Sequence, residues 1–354
     1  MTPISAIPSP LTKTEGASLG ASANLDFLRS MAVLMVLFDH LCRHYHLDRL
    51  GRLSVADVGI FGVLLFFVHT SLVLMYSMER SALGGFALVK NFYVRRFFRI
   101  YPLSVLTVLA AVALHVHATG RGIDFGPRPG FLELISNLLL IQNLTYSVSI
   151  VGPLWTLPLE VQMYVLLPLL FLWRKRLFLW LPVLWMACGL LGHYPQVIPG
   201  LAWFTLLFYI PNFLPGVMAF TLPYKPHIPA YWWPPFIVSL AIVYALFPGR
   251  RSGGVLCLLL GVAIPLFKEM TSRSLRLGSN KVATYSYGIY LGHSFCIWFS
   301  LTIFHSWTLF LITIVLLPMA LYHGLEGPAI RLGTRLADRV SKPRLAAAPA
   351  AAQA

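Results

Sequence analysis

Eleven apolar runs, at about 25–42, 55–78, 100–118, 132–146, 154–173, 177–192, 201–221, 232–247, 252–267, 283–303 and 306–325, fill most of the chain. Short polar breaks separate them. Several reach or approach the ~20 residues that a helix needs to cross a hydrocarbon core. Inside such a core every backbone N–H and C=O must be satisfied within the protein, which favours unbroken helices. A soluble chain would carry about a quarter charged residues, whereas here 11% are charged and 58% hydrophobic. The pattern predicts an all-α, polytopic bundle embedded in the lipid bilayer.

The distribution of basic residues decides how many runs cross. Run 132–146 is short and interrupted by Glu133, Asn137, Gln142 and Asn143. If it does not cross and the N-terminus is cytoplasmic, 20 of the 27 Lys and Arg residues fall inside and 7 outside. If it crosses, every later loop changes side and the split becomes 9 inside against 18 outside. Cytoplasmic loops are enriched in Lys and Arg, so the first arrangement is expected. It has ten transmembrane helices, both termini cytoplasmic, and a short buried or re-entrant segment at 132–146. The same distribution explains the formal charge of +15 without nucleic acid. Anionic headgroups or an anionic cosubstrate are the partners it suggests.

Residues 1–24 are rich in Ser, Ala, Pro and Thr and read as a disordered cytoplasmic tail, without the basic and apolar regions of a cleavable signal. The membrane domain is expected over 25–330 and a second cytoplasmic tail over 331–354. Cys42, Cys188, Cys257 and Cys296 lie in or beside apolar runs and read as small buried hydrophobes rather than a disulfide or zinc framework. His40, Cys42, His44 and His46 lack a catalytic zinc spacing, so no metal is expected.

Ionisable groups inside a membrane are costly and mark function. Arg29 and His40 are eleven residues apart, close to three full turns, so they share a helix face about 16 Å apart along the axis. Arg95, Arg96 and Arg99 stand before the third run. Arg96 and Arg99 share a face, and guanidinium forks match phosphate oxygens. Gly152 to Tyr164 opens the fifth run and carries Trp155, Glu160 and Tyr164. Counted from the outer side, Glu160 lies roughly 9 Å deep and His40 roughly 8 Å. A carboxylate beside an imidazole is a common acid–base pairing. His40 and Glu160 are therefore the candidate catalytic pair, with Trp155 and Tyr164 beside them on the substrate side. His69, His115, His117 and His293 are expected to be structural or interfacial.

Together these motifs resemble those of the bacterial membrane acyltransferase-3 family, over most of residues 25–330 and in order. Arg29 followed by ten residues and His40 resembles its first-helix signature. Phe66-Phe67 with Ser71 resembles the second, although His69-Thr70 departs from the usual Leu-Ser-Gly. Arg96-x-x-Arg99 resembles its arginine motif. Pro153-Leu-Trp155-Thr-Leu157 with Glu160, Gln162 and Tyr164 resembles its Pro-Leu-Trp motif, with an atypical Pro158. Tyr285 to His293 and Glu326-x-Pro328 resemble its closing segments. The resemblance implies a protein of the bacterial cytoplasmic membrane that moves an acyl group, usually acetyl, from acyl-CoA to a glycan or glycolipid hydroxyl. It makes Arg29 and His40 essential and puts Arg96 and Arg99 on the acyl-CoA side, where Arg29 and Arg95 are expected to join them. His40 would take the hydroxyl proton, with an acyl-imidazole on His40 as a variant. A transporter or flippase of a glycolipid or anion is the rival reading. Such proteins often carry inverted repeats and paired broken helices, and neither is visible here.

Overall fold

The computed structural model describes residues 22–119, 122–125, 128–193 and 205–341. All but the last three residues of the expected N-terminal tail lie outside these. Twelve helices of eight residues or more are found among the described residues: α1 Ala23–His44, α2 Val55–Ser81, α3 Gly85–Ala113, α4 Phe131–Leu138, α5 Leu157–Leu172, α6 Leu181–His193, α7 Ile210–Thr221, α8 Trp233–Leu246, α9 Arg250–Ala263, α10 Arg273–Ile297, α11 Trp307–Leu321 and α12 Gly327–Ser341. Among the described residues the β-structure is two short antiparallel strand pairs, Arg49–Leu50 with Leu53–Ser54 and Val116–Thr119 with Gly122–Phe125, and an isolated parallel bridge between Ile228 and Phe267. Residues 331–341, expected as tail, belong to α12, which packs along α3 through Arg95–Asp338 and Asn91–Ser341.

Among the described residues, five stretches are long and apolar enough to cross a membrane: α2, α3, 152–172, 174–192 and the continuous run 307–341. The expected ten are not matched on that measure, for two physical reasons. Helices α7, α8 and α9 have 12, 14 and 14 residues, which rise only about 18–21 Å. Proline at Pro211, Pro234 and Pro265 confines their ends to short 3₁₀ turns. Helices α1 and α10 are long, at 22 and 25 residues, but α1 carries Asp26, Arg29, Asp39 and Arg43, and α10 carries Arg273, Arg276 and Lys281 in its first half and many polar residues beyond them, among them Ser286, Tyr287, Tyr290 and His293.

Segment 132–146 forms no long helix. The eight residues of α4 rise about 12 Å, and irregular backbone follows as far as Val151. The amides that interrupt the apolar pattern satisfy that backbone. Asn137 donates to Glu133 O and Val148 O at 2.9 and 2.8 Å and accepts from Ile150 N at 3.0 Å. Gln142 donates to Leu154 O at 3.1 Å, and Asn143 pairs with the Gln162 amide at 2.9 Å.

Pairings fix relative helix directions. Helices α1 and α10 run parallel, with Ser30 donating to Ser279 O at 2.7 Å at one level and His40 against His293 at the next. Helices α2 and α7 also run parallel, through Phe67–Phe213 and Tyr76–Phe220. Helices α3 and α12 are antiparallel. The crossings use small residues, as close helix approach requires. A Cβ at Gly62 of α2 would stand 2.6 Å from Ala32 O of α1. One at Gly216 of α7 would collide with Val68 O and Ser71 of α2. Ser71 donates across that crossing to Phe213 O at 2.6 Å.

Candidate active site

Helix α1 starts on a polar anchor. Asn24 accepts from Met270 N at 3.1 Å and from Trp233 Nε1, through its carbonyl, at 3.0 Å, and donates to Lys268 O at 3.0 Å. This pins the first turn beside the lead-in to α10. Five residues on, Arg29 enters a cavity of about 100 Å³ between α1, α2, α3, α5 and α10. Arg96, Arg99, Glu160, Tyr164, His69, Thr70, Thr156, Tyr287 and Tyr290 also line it.

Three of the four expected arginines thus converge, and they are not equivalent. Arg99 is ion-paired with Glu326, in the π-helical turn Tyr322–Glu326, and its guanidinium lies 5.5 Å from the Tyr287 ring centre. Arg29 is half-buried and lines the cavity together with Glu160, whose carboxylate favours its charge. Arg96 has no hydrogen-bond or ion-pair partner among the described residues. It also lines a second, smaller pocket with Asn91 and Arg95, and so joins the two spaces. Arg95 is outside the main cavity and donates to Asp338 of α12 at 2.8 Å. With the Arg99–Glu326 pair neutral, Arg29 and Arg96 stand against Glu160 alone, which leaves one positive charge in excess.

Glu160 and His40 are not brought together. The Tyr164 hydroxyl donates to Glu160 Oε1 at 2.5 Å, on the next turn of α5. Glu160 therefore belongs to the Arg29 level, about three turns of α1 below His40. The depth expected from sequence assumed that α5 begins at the lipid face. In the structure a 3₁₀ turn, Gly152–Thr156, leads in with Pro153, Leu154 and Thr156 already buried, so Glu160 sits deeper than a residue count suggests. Trp155 is also outside the cavity and packs on Tyr209, ring centres 5.8 Å apart.

His40 occupies the far end of α1. Its Nδ1 is 2.9 Å from Val36 O. A carbonyl only accepts, so Nδ1 carries the proton and, in the neutral ring, Nε2 keeps its lone pair. Asp39 Oδ2 lies 3.9 Å from His40 Nδ1, but its hydrogen bonds go to Arg43. It is buried against Gly59 and accepts from Arg43 Nε and Nη2 at 2.5 and 2.9 Å. The neighbour across from His40 is His293 of α10, ring centres 4.7 Å apart and edge to face. One layer separates this pair from the cavity. Tyr290, a turn before His293, packs on Phe66 and donates to Pro153 O at 2.9 Å, and its oxygen also meets Thr156 Oγ1 at 2.7 Å. Sequence reasoning set His69 and His293 aside as structural, yet one lines the cavity and the other abuts His40. A lone histidine in an apolar helix gives no periodic signal that separates these cases.

Residues 22–323 match the acyltransferase domain family known as acyltransferase 3. The chain belongs to that family. It is 27% identical over 230 residues to a protein named as an acetyltransferase in Acidianus two-tailed virus, covering 64% of this chain and 58% of that one. It is 28% identical over 178 residues to nodulation protein 10 of Rhizobium leguminosarum biovar viciae, covering 45% of this chain and 47% of that one. The matches therefore span about half of each relative's length. No solved structure matches. The family is one of acyltransferase domains, and several of the chain's described helices are long and apolar enough to cross a membrane.

Proposed function

We propose that the chain transfers an acyl group, acetyl in the first instance, from acyl-CoA on the cytoplasmic side of a bacterial inner membrane to a hydroxyl of an extracytoplasmic glycan or glycolipid. The observation that carries the reading is the cavity with one excess positive charge lying three turns below His40 on the same helix. Arg96, unpaired and shared between two pockets, suits the phosphates of the donor, with Arg29 deeper in. Arg99, held by Glu326, shapes the wall rather than meeting phosphate. The cavity then takes the slender pantetheine arm. The Phe66–Tyr290–Thr156 layer lies between the cavity and His40, and the arm passes it to present the thioester. His40 Nε2 takes the proton of the acceptor hydroxyl, which attacks the carbonyl. Glu160 orients Arg29 and Tyr164 in this scheme rather than His40.

Ten crossings with cytoplasmic termini remain the topology we favour. The parallel runs of α1 with α10 and of α2 with α7 support it. Were 132–146 a crossing, α7 would run against α2. Matrix-matched mass spectrometry of cell-surface glycans from strains with and without the protein tests the function. Loss of an acyl mass increment on a surface glycan is expected. Identical glycans would count against the acceptor class, and unchanged glycans with altered export would favour the transporter reading.

A further inference from the structure

His293 is the one histidine nitrogen pair in the described bundle that is sealed, oriented and unused. The side chain is buried, at 1% exposure. Its Nδ1 is 3.1 Å from Ile289 O, so Nδ1 donates and the neutral ring leaves Nε2 as a bare acceptor. That Nε2 is buried and has no hydrogen-bond partner. A buried unsatisfied acceptor is costly to keep. Tyr290, its neighbour on the helix, cannot supply a proton, because its hydroxyl is committed to Pro153 O. The polar ring against it is His40, whose own Nδ1 is tied to Val36 O in the same way. Two imidazoles thus meet edge to face, each fixed by the carbonyl four residues back.

We propose that His293 is a positioning residue for acyl transfer, and that its ring and bare Nε2 hold the imidazolium that forms transiently on His40. The proposal rests on His40 being the base. In the step, His40 Nε2 takes the proton of the acceptor hydroxyl. The hydroxyl oxygen forms a bond to the thioester carbonyl carbon, the C–S bond breaks, and its electron pair leaves on sulfur. The thiolate takes the proton from His40, giving free CoA thiol and neutral His40. His293 changes neither charge nor bonding. A neutral ring beside His40 with a buried, unpartnered lone pair stabilises the cation only while the proton is on His40, which makes its contribution larger in the transition state than in the ground state. The other charged groups near His40 are Asp39, whose Oδ2 is 3.9 Å from His40 Nδ1 and supports the same cation, and Arg43, which pairs with Asp39 and offsets part of that support, with Asp57 of α2 near Asp39.

The test uses the full chain in lipid nanodiscs, acetyl-CoA as donor, water as acceptor, and release of free CoA as the readout over a pH series. His293→Phe keeps an aromatic ring and removes the lone pair. Turnover is expected to fall about 10- to 100-fold with acetyl-CoA KM unchanged, less than the ~10²- to 10⁴-fold of a lost general base, because His40 itself remains. The acid limb of kcat/KM should move down by about one pH unit, because the imidazolium has lost its support. His293→Gln, which restores an acceptor near the Nε2 position, should recover part of both changes. A His293→Phe protein with wild-type turnover and acid limb overturns the proposal, as does loss of turnover in both variants with an unmoved acid limb. If the wild type releases no CoA from acetyl-CoA, or His40→Ala releases it normally, the donor or base assignment fails first, and the role of His293 fails with it.

Discussion

Arg29 and His40 stand eleven residues apart on one face of α1, and their surroundings differ in kind. Around Arg29 there is space, a mixture of three guanidiniums and two carboxylates, and a net positive charge. Around His40 there is close packing against His293, with both imidazole tautomers fixed by backbone carbonyls. A region that binds a flexible anion needs room and charge. A region that moves a proton needs few conformations and little water, since electrostatic effects strengthen as solvent is excluded. The difference suggests that binding and chemistry are divided between the two ends of a single helix.

If that division holds, the two ends should fail differently. Arg96→Glu should weaken acetyl-CoA binding about 100-fold or more in calorimetry, because a charge-assisted contact is lost and a repulsion added. Arg95→Ala, whose partner is Asp338, should change it less than about threefold, in line with exposed ion pairs. Equal effects in the two variants would erase the distinction drawn among the arginines. A smaller loss is expected from Glu160→Gln. Turnover should fall about tenfold through misplacement of Arg29 and Tyr164, while donor affinity holds or rises because the cavity gains a positive charge. Weaker donor binding would contradict the charge balance. The smallest effect is expected at the layer between the ends. Tyr290→Phe removes a hydroxyl bonded to Pro153 O and Thr156, which should cost about 1 kcal/mol of stability. A thermal-shift assay in detergent reads it, and an unchanged melting temperature would show that the layer is not held there.

Much of this was legible from residue spacing. Eleven residues make nearly three turns, so the common face of Arg29 and His40 follows from helix geometry alone. The i, i+3 spacing of Arg96 and Arg99 likewise brings both to the cavity. The short, interrupted apolar run at 132–146 is an eight-residue helix followed by irregular backbone, and the polar amides that interrupt the run are what satisfy that backbone. Other features had no local signal. Arg99 and Glu326 are 227 positions apart, and their pairing depends on a π-helical turn that no apolar period announces. The level of Glu160 was misjudged because the 3₁₀ lead-in to α5 lies inside the bundle. Three of the apolar runs form helices of only 12 to 14 residues with proline at their ends, a length that the runs themselves do not announce.

The division between binding and chemistry is tested most directly by acetyl-CoA binding and single-turnover CoA release measured on the same preparation of His40→Ala. Binding should be within about twofold of wild type. Release should fall by about two to four orders of magnitude, the usual range for a lost general base. Release near the wild-type rate, or a loss of activity explained wholly by lost donor binding, would contradict it.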